Sequence, residues 1–128
     1  MLKHHHVNRW GIVTLILVLS ACGGGTEAVP PVGDVAAAKA ALLSESTVVD
    51  LLYQPSAPVE WQLGVRDDGT ARHGFAQYAC DVLKEHGVVT DRTIVRIVDI
   101  DKMKQGARPR EASLGSVGCS DYRRDPIP

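Results

Sequence analysis

The chain has 128 residues, 45% of them hydrophobic and 23% charged, with 14 basic against 15 acidic side chains. That length suits one small domain, and the composition excludes a disordered chain, a collagen-like repeat and a polytopic membrane protein. A near-neutral, slightly acidic chain has no general attraction to phosphate backbones, so no nucleic-acid partner is expected.

Residues 1–9 carry Lys3, Arg9 and three histidines, and Trp10 to Leu19 then runs without a charge. A run of about 10 apolar residues matches the core of a signal peptide, whereas a spanning helix needs about 20. Leu19-Ser20-Ala21-Cys22 follows, and it resembles the lipobox of bacterial lipoproteins: a hydrophobic residue, two small ones and a cysteine. The resemblance covers residues 1–25 alone. It implies removal of residues 1–21 as a signal peptide and acylation of Cys22, with stable anchoring because two or more chains hold where one is marginal. Gly23 stands where an aspartate marks retention in the inner membrane. The resemblance therefore implies a lipid-anchored protein of the cell envelope, at the outer membrane and facing the periplasm. An uncleaved anchor with a coincidental cysteine is the competing reading. His4, His5 and His6 lie in the leader and receive no metal role.

Residues 22–33 are rich in glycine and proline and read as a tether between the lipidated cysteine and a domain over 34–122. Asp34 is a suitable N-cap for the helix former run Val35 to Leu43. This helix is expected to kink or break at Ser44–Thr47 and to resume toward Leu52, until Pro55 and Pro58 end it. Val59 to Arg66 alternates, with Val59, Trp61, Leu63 and Val65 on one face, which is the period of a strand buried on one side. Asp67-Asp68-Gly69-Thr70 turns the chain. Phe75, Tyr78, Ala79, Val82, Leu83 and His86 then form one apolar stripe of a second helix, with Gly87 as its αL cap. The β-branched run Thr93 to Ile100 is the expected central strand, and residues 112–119 are a weaker third strand. Residues 123–128 are expected to fray as a tail. The order implies a small α+β domain, two or three strands with two main helices on one face and one disulfide; if the two main strands are parallel neighbours, the second helix is their crossover.

Charge is segregated: six basic against twelve acidic groups over residues 22–101, then six basic against three acidic. Arg108, Arg110, Arg123 and Arg124 are thus the candidate binding residues, an ordinary solvated surface being the alternative. With Cys22 consumed by lipidation, Cys80 and Cys119 are the remaining thiols, and an oxidising compartment favours their pairing. Cys80 lies off the apolar stripe, so the segment bearing Cys119 is expected on the flank of the second helix that faces away from the core.

Other chemistry is thinly signalled. His73 lies seven residues before Cys80, so a zinc site with Cys119 is conceivable, but the close ligand pairs of such sites are missing. Asp99-Ile100-Asp101 opens like a calcium loop and then fails at the positions that need an oxygen donor, a glycine and a carboxylate. Gly115-Ser116-Val117-Gly118 has the wrong spacing for a nucleophile elbow. Asp67 and Asp68 next to Gly69 are turn formers before they are an acid/base pair. The sequence therefore points to a non-enzymatic envelope lipoprotein without cofactor or metal, anchored through Cys22 and binding a macromolecular protein partner. An inhibitor or immunity factor against an envelope-degrading enzyme is one alternative; a small hydrolase using His73 with Asp67 and Asp68 is another.

Overall fold

The computed structural model describes residues 33–124. The leader, Cys22 and nearly all of the expected tether lie outside them, as do residues 125–128. Among the described residues the order is α1 (Val35–Leu43), β1 (Asp50–Gln54), β2 (Val59–Val65), α2 (His73–Glu85), β3 (Thr93–Asp99), α3 (Ile100–Lys104) and β4 (Ser113–Gly118). The strands form one mixed sheet in the order β1-β2-β3-β4. β2 and β3 run parallel, as a helical crossover through α2 requires, and β1 and β4 flank them antiparallel. No described helix is long and apolar enough to cross a membrane.

The alternation in β2 decides which face is buried. Val59, Trp61, Leu63 and Val65 join Val95 and Ile97 of β3 and Val117 of β4 in one apolar cluster, with Ala38 and Leu42 of α1 and Ala76, Ala79, Cys80 and Leu83 of α2. The expected α+β architecture is present, with both main helices on this face. Trp61 is fully buried there, and its ring lies 4.4 Å from that of Tyr53. Asp34 caps α1 by accepting the Ala37 N–H, and Gly87 closes α2 at φ 69°.

Five expectations need correction. The first helix does not resume after its break: residues 50–54 are strand β1, paired with β2 from Asp50↔Gly64 to Gln54↔Glu60. A short apolar run is ambiguous between helix and strand, and here the partner strand decides. A sheet of four strands replaces the two or three expected, and Ile100–Lys104 forms the short helix α3, capped by the Asp99 carboxylate. The buried side of α2 is Ala76, Ala79, Cys80 and Leu83, whereas Tyr78 is 45% exposed. At 100° per residue this is a rotation of roughly 80° from the expected stripe. The cause is that α2 lays its small residues on the sheet, where a Cβ on Gly115 would meet the His73 nitrogen at 2.6 Å. Phe75 and Tyr78 stack on the flank, and Tyr78 donates to Glu45 in the turn after α1. Cys80 and Cys119 are consequently inside the core and not on an outward flank; both are fully buried and bridged, with Cα atoms 5.3 Å apart. Arg123 and Arg124, expected in a frayed tail, lie against β4: the Gly118 N–H donates to the Arg123 carbonyl, and Arg124 bridges Val117.

Candidate functional site

Among the described residues, the second face of the sheet carries no main helix. Its floor comes from the even-numbered positions of β1 and β2, namely Asp50, Leu52, Gln54, Glu60, Gln62 and Gly64. The wall beside it is α3 followed by residues 105–111, which fold back along the strands. Ile100 sits over Gly64, where an added Cβ would approach its Cδ1 at 2.9 Å, so the glycine makes room for α3. Two concavities result. One, about 440 Å³, is lined by Leu52, Gly64, Val98, Ile100 and Met103 at its apolar end; the other, about 500 Å³, lies between Gln54, Glu60 and the Arg108–Glu111 segment. Gln62 lines both, so together they form a trough along β1 and β2.

The centre of this trough is polar by construction. The Arg96 Nε donates to Glu60 Oε1 at 2.9 Å, and the Gln62 amide nitrogen donates to the same oxygen at 3.2 Å. Arg96 also approaches the Ser113 hydroxyl at 3.4 Å. The carboxylate thereby fixes the orientation of the amide, since it can only accept. Gln62 Oε1 is then left without a partner on a side chain that is 4% exposed. A desolvated carbonyl without a donor costs about 1–3 kcal/mol. The oxygen is closed off from solvent, so a ligand N–H or O–H recovers that cost only where the amide swings out into the trough.

The arginines singled out from sequence separate into two places. Arg108 and Arg110 line the polar end of the trough, and Arg123 lines a different concavity with Pro58, Asp91 and Arg92. Arg108 is engaged by Glu111, with its Nε 2.9 Å from the carboxylate and its own N–H donating as well. These bonds hold the Glu111 carboxyl below its ordinary range. Arg123 pairs with Asp121 at 3.3 Å. The basic end of the chain is therefore two local clusters, partly neutralised by neighbours, and not one continuous face.

The residues considered for catalysis lie elsewhere. Asp67 accepts the Gly69 N–H, while Asp68 accepts from the N–H and hydroxyl of Thr70 and pairs with Arg72 at 2.9 Å. These bonds, those of Thr70 foremost, lower the Asp68 pKa. His73 pairs through Nδ1 with the Ser116 carbonyl at 3.3 Å, and no hydrogen bond joins it to either aspartate. Ser116 itself is 2% exposed in the middle of β4. Both sulfurs of the conceivable zinc set are spent in the disulfide, and no metal-binding cluster of His, Cys, Asp and Glu occurs among the described residues. Sequence reasoning missed Glu60, Gln62 and Arg96, which read as the outward positions of ordinary strands. Their signal is a charge inside the β-branched run, Arg96, facing Gln62 directly in the parallel register.

No protein family, curated protein or solved structure matches this chain.

Proposed function

We propose that this chain is an envelope lipoprotein, anchored through Cys22, whose domain binds a macromolecular partner without catalysis and receives an extended segment of it in the trough. The observation that carries the reading is the orphaned Gln62 carbonyl, desolvated between two joined concavities. The trough is long and open, with apolar Leu52, Val98 and Met103 at one end and Arg110 at the other. That combination suits a chain with alternating side chains and a backbone N–H at its centre, and no group in it is placed as a nucleophile. The lipobox resemblance supplies the location, and a buried disulfide suits an oxidising compartment.

The test has two arms on the full chain. A photocrosslinking residue at Gln54 or Met103, on the trough, should capture a partner of discrete mass, whereas one at Gln77, on α2, should not. Adding Gln62→Leu should reduce capture at least tenfold. Cys22→Ser should release the protein from carbonate-washed membranes. Equal capture at Gln77 sinks the trough, and retention of the serine variant in the membrane sinks the anchoring.

A further inference from the structure

The two edges of the sheet differ. Beyond β4, the Arg123 carbonyl and the Arg124 bridge occupy the edge. Beyond β1, no described strand is paired. The Leu51 N–H goes to the Asp50 carboxylate at 2.8 Å and not into the ladder with β2. Antiparallel strands turn the backbone groups of alternate residues to opposite sides. Leu51 and Tyr53 therefore present N–H and C=O groups outward, while Asp50, Leu52 and Gln54 bond to β2. Leu52 is 51% exposed and Val49 47%. An open edge with apolar side chains beside it is a template for another strand.

The sequence of β1 specifies which strand fits. Asp50-Leu51-Leu52-Tyr53-Gln54 is polar at both ends and apolar between, nearly symmetric about Leu52. We propose that β1 pairs antiparallel with β1 of a second copy of this chain, about a two-fold axis at Leu52, so that two sheets become one. In this register Leu51 and Tyr53 exchange ladder hydrogen bonds with Tyr53 and Leu51 of the second copy, satisfying the outward groups on both sides. Asp50 faces Gln54 of the second copy, whose amide donates to the carboxylate, and the two aspartates stay far apart. Leu52 faces its own copy, and the two exposed side chains cover each other. Moving the axis to Asp50 sets like charges directly opposite and shortens the ladder, which is unfavourable. An isologous contact of this kind closes on itself at two chains. The two-fold keeps both helical layers on one side, so α1, which packs on β1, meets its copy where Leu43 is 49% exposed. Asp50 must surrender the Leu51 N–H for the ladder to form, so association competes with a bond inside each chain.

Cysteine substitution on the full chain in detergent micelles tests the register. Leu52 is a non-hydrogen-bonded position across the new ladder, with an expected Cα separation of about 4.5 Å, within the 4.4–6.8 Å of disulfides. Leu52→Cys should form a covalent dimer whose 52–52 bridge is mapped by mass spectrometry. Asp50→Cys and Gln54→Cys should each fail alone, their copies being roughly 14 Å apart along the strands, and should cross-link when mixed. The unsubstituted chain run alongside gives the background from Cys22. As a second readout, Leu52→Lys, at an exposed site that leaves folding unaffected, should lower the dimerisation constant seen by sedimentation at least tenfold. Equal bridging at all three positions, no 52–52 bridge, or an unsubstituted chain that stays monomeric at its solubility limit overturns the proposal.

Discussion

Replacing both cysteines of the buried bridge by alanine should remove a large share of the stability of this domain. The bridge spans 39 residues of chain, and loop-closure entropy values such a cross-link at about 4 kcal/mol. Alanine is the correct substitute, since serine would add the burial of two hydroxyls at a fully buried site. The two sulfurs leave space that the core fills incompletely, which moves the cost up by about 1 kcal/mol. For a domain of about this size each kcal/mol moves Tm by roughly 4–8 °C, so a fall of roughly 20–40 °C is expected. Urea unfolding of the full chain and of Cys80→Ala/Cys119→Ala, followed by tryptophan fluorescence from buried Trp61, measures the difference. A lower midpoint with an m-value that rises is the expected pattern, because an unbridged unfolded chain exposes more surface. A loss below about 1 kcal/mol would refute the reasoning, showing that α2 and β4 hold each other without the bridge.

Gly115→Ala should destabilise by about 2–3 kcal/mol in the same assay, because the new methyl meets the His73 and Arg72 backbone, which cannot rotate away; a change below about 0.5 kcal/mol would contradict the packing described. Glu60→Leu should cost about 2–3 kcal/mol by removing the carboxylate that accepts from both the Arg96 Nε and the Gln62 amide. A change below about 0.5 kcal/mol would count against this group as a source of stability. Asp68 and Glu111 both have lowered pKa values, so the stability they contribute is present above the ordinary carboxylate range and lost as pH falls through their folded values. Asp68→Asn/Glu111→Gln should therefore flatten the decline of stability measured by urea titration at acid pH, and an identical decline in both proteins would sink the assignment.

What the sequence revealed tracks how strongly each residue's place depends on its own neighbours. The alternation of β2 was readable because Trp61 and its companions face a core while Glu60 and Gln62 face away. The Asp34 and Gly87 caps were readable because capping is local chemistry. β1 was not, since its exposed position Leu52 is as apolar as its core-side neighbour Leu51, and only pairing with β2 separates it from helix. The face of α2 was misjudged because hydrophobicity ranks Phe75 above Ala76, whereas close approach to β4 ranks them in the opposite order. The trough was invisible for a related reason: it exists only when the segment 105–111 folds over β2, a contact that no spacing along the chain encodes.

One junction has a consequence for handling this domain as a unit. The Asp34 N–H donates to the His86 carbonyl, and Gly33 lies so close to the backbone of His86 and Gly87 that a side chain there would collide. The chain thus enters at the carboxy-terminal end of α2, which is also the pole where β3 begins and where Arg124 leaves beside Val117. With entrance and exit at one pole, whatever is joined to either end of residues 33–124 meets the domain at the start of β3, and the opposite end of the sheet, where β2 and β3 finish, carries neither junction.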